Sequence, residues 1–318
     1  MEHLDFDAIH RLTGVHGLIE PLRQAFASNA RSPDRAHYDL GPPDRPRTLL
    51  LMPSWQSNGP VGVKIVTVFP GNAERGLPSV NAAYLLMSGQ TGEPLVWIDG
   101  RALTLLRTAA VSALAADLLA PERSAVLLMV GTGALAPYLV EGHCSVRHYE
   151  SVLIWGRNTQ KAELLARELG TRGWPASVAT DLEAAARSAD VVTCATLANQ
   201  PLIQGAWLKS HCHLNLIGGY RPDMREADDA SLRDACVVVD TRAALYECGD
   251  LAGPLASGII HESQVILLND LVSRTKLAKP ASKTVFKSVG VAHADLAAAE
   301  HVYRASRAPP NADLPSKR

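Results

Sequence analysis

One segment constrains this chain more than any other: an unbroken apolar run, Ala125 to Val130, followed at once by Gly131-Thr132-Gly133-Ala134-Leu135-Ala136. A run apolar at every position suits a parallel strand buried on both faces. The string after it has the form G-x-G-x-x-A. Its first glycine permits a tight turn, its second lets the backbone approach a pyrophosphate, and its small last residue packs a helix onto the sheet. An anion then sits at the helix N-terminus, where free N–H groups and the dipole favour negative charge. Pro137 is tolerated there, because a first-turn residue has no intrahelical N–H bond to lose.

The same texture continues downstream. Ser151–Trp155, a short segment near Ser177–Ala179, Asp190–Ala195, His213–Ile217 and Cys236–Asp240 read as strands. Helices are expected at Thr159–Leu169 and at Leu182–Ser188, the latter capped by Asp181. Strands alternating with short helices predict an α/β doubly wound parallel sheet of the Rossmann type from Ser124 to Ser288, binding a nicotinamide dinucleotide. NAD specificity usually needs an acidic residue at the end of the second strand to bind the ribose 2′-OH. This chain has Trp155-Gly156-Arg157-Asn158 there, and Arg157 is suited to pair with a 2′-phosphate. NADP(H) is therefore expected to be favoured over NAD(H), with Arg157 and Asn158 on the cofactor.

Upstream of Ser124 the pattern is less regular. Helical spacing from Asp5 to Ala27 gives way to a Pro- and Arg-rich loop from Arg31 to Arg47. Extended segments follow at Thr48–Met52, Gly62–Phe69, Ser79–Met87 and Leu95–Ile98. These predict an antiparallel sheet in a second, α+β domain, joined to the first by an Ala- and Leu-rich helix at Arg107–Leu119. A helix over Ala292–Arg304 and a disordered polar tail, Ala308–Arg318, are expected at the end. At 318 residues two domains are the default. The division expected is 1–118 with 289–318 for substrate binding and dimerisation, and 119–288 for the dinucleotide.

Charge narrows the partners. Lys plus Arg number 31 and Asp plus Glu 32, so there is no basic excess for nucleic acid or an anionic membrane. The five cysteines have no CxxC spacing and read as reduced thiols of a cytoplasmic protein. His211-Cys212-His213 resembles a metal site only superficially, since strand neighbours point to opposite faces; no metal is expected. The first residues lack the pattern of a signal peptide, and no apolar run reaches the ~20 residues of a membrane span.

Cations stand out against this background. Lys64 interrupts an apolar strand and shares a face with Gly62 and Val66, so alternation alone does not assign it to water. Arg107 opens the apolar helix expected at Arg107–Leu119, a poor place for a cation unless an anion binds beside the N-terminal amides.

These strings resemble the ornithine cyclodeaminase/mu-crystallin family. The motifs that carry the resemblance are Arg47–Pro53, Gly62–Pro70, Gly76–Ala82, Asp99–Ala110, Gly131–Gly133 and Thr284–Gly290. It implies a Rossmann domain plus a second domain that pairs two subunits into a homodimer. It also implies that Arg47, Lys64 and Arg107 surround a substrate carboxylate, with Lys64 an acid or base for the substrate nitrogen. Ser79, Arg107, Thr108, Gly131, Gly133, Ala134, Leu135, Thr196, Ile217, Gly218 and Ser288 are implied to line the cofactor, and Tyr220 and Val289 the substrate.

The reaction implied is hydride transfer at the Cα–N bond of a small amino or imino acid. Cyclisation of ornithine needs an acid for the distal amine, and the family's cyclodeaminases carry an Asp two residues before a Pro. Here Gly218-Gly219-Tyr220-Arg221-Pro222-Asp223 puts Tyr220 in that place, and a phenol with a pKa of about 10 is a poor substitute. Asp223 reads as a turn residue. Ketimine reduction and amino-acid dehydrogenation therefore stand beside cyclodeamination. A non-catalytic protein holding NADPH and a small ligand is the reading from another class, against which Lys64 and the two arginines speak.

Overall fold

The computed structural model describes residues 1–42, 44–273 and 282–309. The tail expected to be disordered lies, from Pro310 onward, outside them. The chain forms two compact units, Met1–Arg107 with the segment from Ala292, and Thr108–Val291. Both boundaries differ from those expected at 118/119 and 288/289. The first falls inside a continuous helix, where no turn residue signals a change of unit.

The first unit runs β1 (Glu2–Leu4), α1 (Phe6–Leu12), α2 (Val15–Ala27), β2 (Ala36–Asp39), β3 (Thr48–Trp55), β4 (Val61–Val68), β5 (Val80–Met87) and β6 (Pro94–Asp99), then enters α3 (Gly100–Leu119). Asp5 caps α1 by accepting the Ala8 amide at 2.8 Å. In α2 the buried residues Val15, Leu18, Ile19, Leu22 and Phe26 make one apolar stripe at helical spacing. Six strands form the sheet in the order β1-β6-β5-β4-β3-β2. All pair antiparallel except β1, which runs parallel to β6. The final helix packs on α2 and on β3, β4 and β5.

Three expectations need correcting here. Ala36–Asp39 lies in the stretch expected to be all loop; it is an edge strand, held by β3 rather than by its own pattern. Arg107 does not open a helix, because α3 begins at Gly100 and Arg107 stands in its interior. By length and composition α3 also reaches a membrane-spanning size that no segment was expected to have, but 83% of that window is buried in the fold.

The second unit continues with β7 (Val126–Val130), α4 (Ala136–Val146), β8 (Ser151–Trp155), α5 (Thr159–Thr171), β9 (Ala176–Val178), α6 (Leu182–Ser188), β10 (Val191–Cys194), β11 (His213–Leu216), β12 (Cys236–Val239), α7 (Ala244–Glu247), α8 (Gly249–Ala256), β13 (Ile266–Leu267), α9 (Leu268–Val272) and β14 (Thr284–Lys287); α10 (Ala292–Arg307) belongs to the first unit. Eight strands, all parallel, take the order β13-β12-β14-β11-β10-β7-β8-β9. This is the doubly wound sheet expected. Its strand order reverses at β7, and ligands of such sheets bind beyond the carboxyl ends of the strands at that point. One feature was not foreseen: β14 inserts between β11 and β12, which brings Ser288 beside the end of β11, its amide donating to Leu216 O at 3.2 Å.

Candidate functional site

In the first unit, alternation along β4 buries Gly62, Lys64 and Val66 on the face covered by α10. Lys64 is 3% exposed. Its Nζ lies 2.9 Å from Oδ1 and 2.8 Å from Oδ2 of Asp295, in the first turn of α10. Arg107 reaches the same carboxylate, donating Nε–H to Oδ1 at 2.8 Å. Its two terminal nitrogens have no partner among the described residues.

Two cations thus share one buried anion. Burial pulls the Lys64 ammonium down to about 8; Arg107 adds to that fall and Asp295 opposes it. Burial pushes the Asp295 carboxyl up, but Arg107 and Lys64 outweigh it and hold it below its ordinary value. The result is an acid poised near neutrality beside an unsatisfied guanidinium fork, a natural receiver for one more carboxylate.

Not every residue expected here joins the cluster. Arg47 is exposed just before β3, its guanidinium 5.9 Å from the Phe69 ring centre, and among the described residues it does not share the Asp295 carboxylate that Lys64 and Arg107 hold. Ser79 is half-buried, its carbonyl accepting the Phe69 amide.

In the second unit the expected cofactor residues collect at the carboxyl ends of the strands. Gly131 follows β7 with φ +119°, and a Cβ there would meet Ala195 O at 2.5 Å, so only glycine fits. A Cβ on Gly133 would meet nothing within 4 Å, so the loop is open where a phosphate would approach. The amides of Gly133, Ala134 and Leu135 have no partner among the described residues, and Leu135 caps α4 with no side-chain bond. Open space and free donors fit a pyrophosphate. Arg157 is exposed beyond β8 and without a partner among the described residues. Asn158 caps α5, its side chain accepting the Lys161 amide at 3.0 Å.

Thr196, Ile217 and Gly218 follow β10 and β11 and are half-buried. Thr108 and Ser288 are buried, and Val289 is half-buried. Ser288 donates to Asp240 at 2.6 Å, and Asp240 also accepts the Gly290 amide. Tyr220 is 41% exposed, on the loop where Arg221 pairs with Asp223.

Sequence reasoning missed the carboxylates that hold these groups. Asp295, Glu226, Asp250 and Asp240 are each 2% exposed or less. A signal was present for Asp295 and Asp240, each a lone acid in a largely apolar string (His-Ala-Asp-Leu-Ala-Ala for Asp295), since an acid is rarely buried without a cation or several N–H donors; Glu226, among Arg225, Asp228 and Asp229, carries no such mark.

Comparison with known proteins accords with this geometry. The Delta(1)-pyrroline-2-carboxylate reductase of Colwellia psychrerythraea is 36% identical, over 95% of this chain and 98% of the relative. The ketimine reductase mu-crystallin of Mus musculus is 36% identical, over 90% and 91%. The solved structure of the Thermococcus litoralis Delta(1)-pyrroline-2-carboxylate reductase, in complex with NADH and L-proline, superposes with a TM-score of 0.90 at 30% identity, covering 96% of this chain and 98% of that one. An archaeal alanine dehydrogenase dimer with bound NAD gives 0.89 at 27% identity, covering 96% of each. Residues 4–308 match the family as a whole, and the chain belongs to the ornithine cyclodeaminase/mu-crystallin family.

Proposed function

We propose that this protein is an NAD(P)-dependent reductase of a small cyclic imino acid bearing a carboxylate on the C=N carbon, such as Delta(1)-pyrroline-2-carboxylate. The carrying observation is the Lys64–Asp295–Arg107 cluster: a buried ammonium and a guanidinium whose terminal nitrogens have no partner among the described residues. Arg107 binds the carboxylate through those nitrogens. Lys64, kept in place by Asp295, holds a proton at Nζ for the substrate nitrogen. When bound, the nicotinamide supplies the hydride to the imine carbon. The balance is complete: the C=N bond gains a hydride at carbon and a proton at nitrogen. Reduction suits the site better than cyclodeamination, because Tyr220 puts a phenol where ornithine chemistry calls for a carboxylate.

The experiment follows NADPH and NADH oxidation against Delta(1)-pyrroline-2-carboxylate, with ornithine tested for ammonia release and alanine for NAD(P)⁺ reduction. Imine turnover well above the other two is expected; dominant ornithine turnover would overturn the reading. NADP(H) is favoured through the free Arg157. The solved relatives hold NADH and NAD, so the ratio of the two KM values decides, with Arg157→Ala expected to erase any NADPH advantage.

The functional unit is a homodimer. The outer face of the first sheet carries a cross-strand apolar row, Pro53, Val63, Leu85 and Trp97, only half-buried in a single chain. Apolar rows left half-covered in this way mark protein contacts. Ile65→Arg on the same face is expected to shift the mass in light scattering from dimer to monomer; an unchanged dimer places the contact elsewhere. Five cysteines outside any disulfide suit a reducing, cytoplasmic setting, which cell fractionation would check.

A further inference from the structure

A second buried charge cluster lies in the dinucleotide-binding unit, and the proposed mechanism does not use it. Glu226 is 0% exposed. Its Oε1 accepts the Thr196 amide at 2.7 Å and the Thr196 hydroxyl at 2.9 Å. Its Oε2 accepts the Gly218 amide at 2.8 Å. One carboxylate therefore ties together the residues just beyond the ends of β10 and β11. The tie is close: a Cβ on Gly218 would lie 2.0 Å from Thr196 O and 2.5 Å from Glu226 Oε1.

The clamp is itself anchored. Asp250 Oδ1 accepts the Glu226 amide at 2.7 Å and the Ala227 amide at 3.2 Å, and Oδ2 takes the Lys287 ammonium at 2.9 Å. Lys287 and Asp250 are also sealed from water. Three charges hidden together are costly unless every one is bonded, and here every one is.

We propose that Glu226 is a positioning residue for the cofactor: it sets the spacing between the Thr196 and Gly218 backbones, and through that spacing the affinity for NAD(P)H. The inference rests on the reading that these two residues line the cofactor. A carboxylate is needed because all three partners are donors. Glutamine has the same shape but turns an NH2 toward at least one of them, so the spacing must open.

The test is Glu226→Gln in the full-length protein, with Thr196→Val, which removes only the hydroxyl donor, as its milder partner. Dissociation constants for NADPH and NADH come from fluorescence titration, KM and kcat from steady state, and melting from the cofactor-free protein. Glu226→Gln is expected to weaken cofactor binding and raise cofactor KM at least ~10-fold, the scale of a lost hydrogen bond to a charged group, with kcat at saturation within about threefold. Thr196→Val should weaken binding by about twofold to fourfold. A lower melting temperature with an unchanged dissociation constant would overturn the proposal, leaving Glu226 a purely structural residue. Equal losses in kcat and cofactor affinity would overturn it too. Should Glu226→Gln fail to fold, Thr196→Val alone decides: unchanged affinity refutes the clamp. If the unsubstituted protein binds neither NADH nor NADPH, it is the cofactor reading that falls, a result distinct from the others.

Discussion

The two units each bury a triad of charges, and the triads are opposite in sign. Lys64, Arg107 and Asp295 sum to one positive charge; Lys287, Asp250 and Glu226 sum to one negative with Glu226 ionised, the form its three donor partners favour while burial pushes its pKa up. The negative triad satisfies its surplus internally, from the amides and hydroxyl around Thr196 and Gly218. The positive triad does not: among the described residues the terminal nitrogens of Arg107 are left over. A buried cluster that is complete holds backbone in place, whereas one left a single anion short waits for a ligand. That difference separates scaffold from chemistry more clearly than burial, which the two share.

The largest expected effect breaks the positive triad at its acid. On the proposed mechanism Lys64→Met removes the proton held for the substrate nitrogen, and kcat/KM should fall about 10³-fold, within the range for a general acid. Because burial draws Lys64 down to about 8, reduction by the unsubstituted protein should also decline above pH 8 as Nζ loses its proton. Steady-state rates across pH 6 to 10, as an order-of-magnitude window around that value, check both points. A Met variant within tenfold of the parent, or a profile flat through pH 8, would remove Lys64 from the mechanism.

The next effect breaks the same triad at its anion. Asp295→Ala leaves two buried cations facing each other without a counter-charge. Stripping one partner from a buried ion pair typically costs about 3–5 kcal/mol. Urea denaturation should show a loss of that size, and a loss under about 1 kcal/mol would mean that water already screens the cluster.

A third expectation sharpens the contrast through acid. The second unit buries two uncharged histidines, His143 against Asn215 at 3.3 Å and His213 against Thr284 at 2.8 Å. Burial lowers them to about 4 and about 3. Below the unfolded value near 6.5 the unfolded chain binds protons that the folded one refuses, so stability falls as pH drops from 6.5 toward 4. His143 alone accounts for on the order of 3 kcal/mol by pH 4. Lys64 adds nothing to this slope, because it is already protonated throughout the window. Urea midpoints measured against pH should show the fall, and His143→Gln should shrink it; an unaltered slope would place the acid sensitivity elsewhere.

How much of this was legible in the sequence differs between the units for a physical reason. The second unit is built from local signals. The apolar run before Gly131 gave the first strand, and Asp181 gave a helix cap that the structure repeats, its side chain on the Ala184 amide. The first unit depends on partners far away in the chain. Ala36–Asp39 is a strand only because β3 lies beside it, and no periodicity announces that. Lys64 stands out as a cation on an apolar face, yet its counter-ion is Asp295, which no spacing rule connects to it. The pattern places the helix start at Arg107, seven residues too late by the count from Gly100 to Arg107; the partner of Arg107 is again Asp295. Motifs read contiguous chemistry, and pairs that only the fold brings together escape them.

The smallest expected effect tests whether the positive triad has a neighbour that is also incomplete. Tyr84 pairs directly across from Lys64, is fully buried, and has no partner for its hydroxyl among the described residues. The phenol lies over Gly62, where a Cβ would stand 2.0 Å from its oxygen, so the strand keeps a glycine to make room for it. An unsatisfied buried hydroxyl costs about 1–3 kcal/mol, and the apolar ring without it costs nothing of the kind. Tyr84→Phe should therefore stabilise the protein by about 1 kcal/mol in urea denaturation, with kcat/KM unchanged. A destabilised Phe variant would mean that the hydroxyl is bonded through buried water. A variant that gains stability but loses turnover would put Tyr84 beside Arg107 among the groups that wait for substrate.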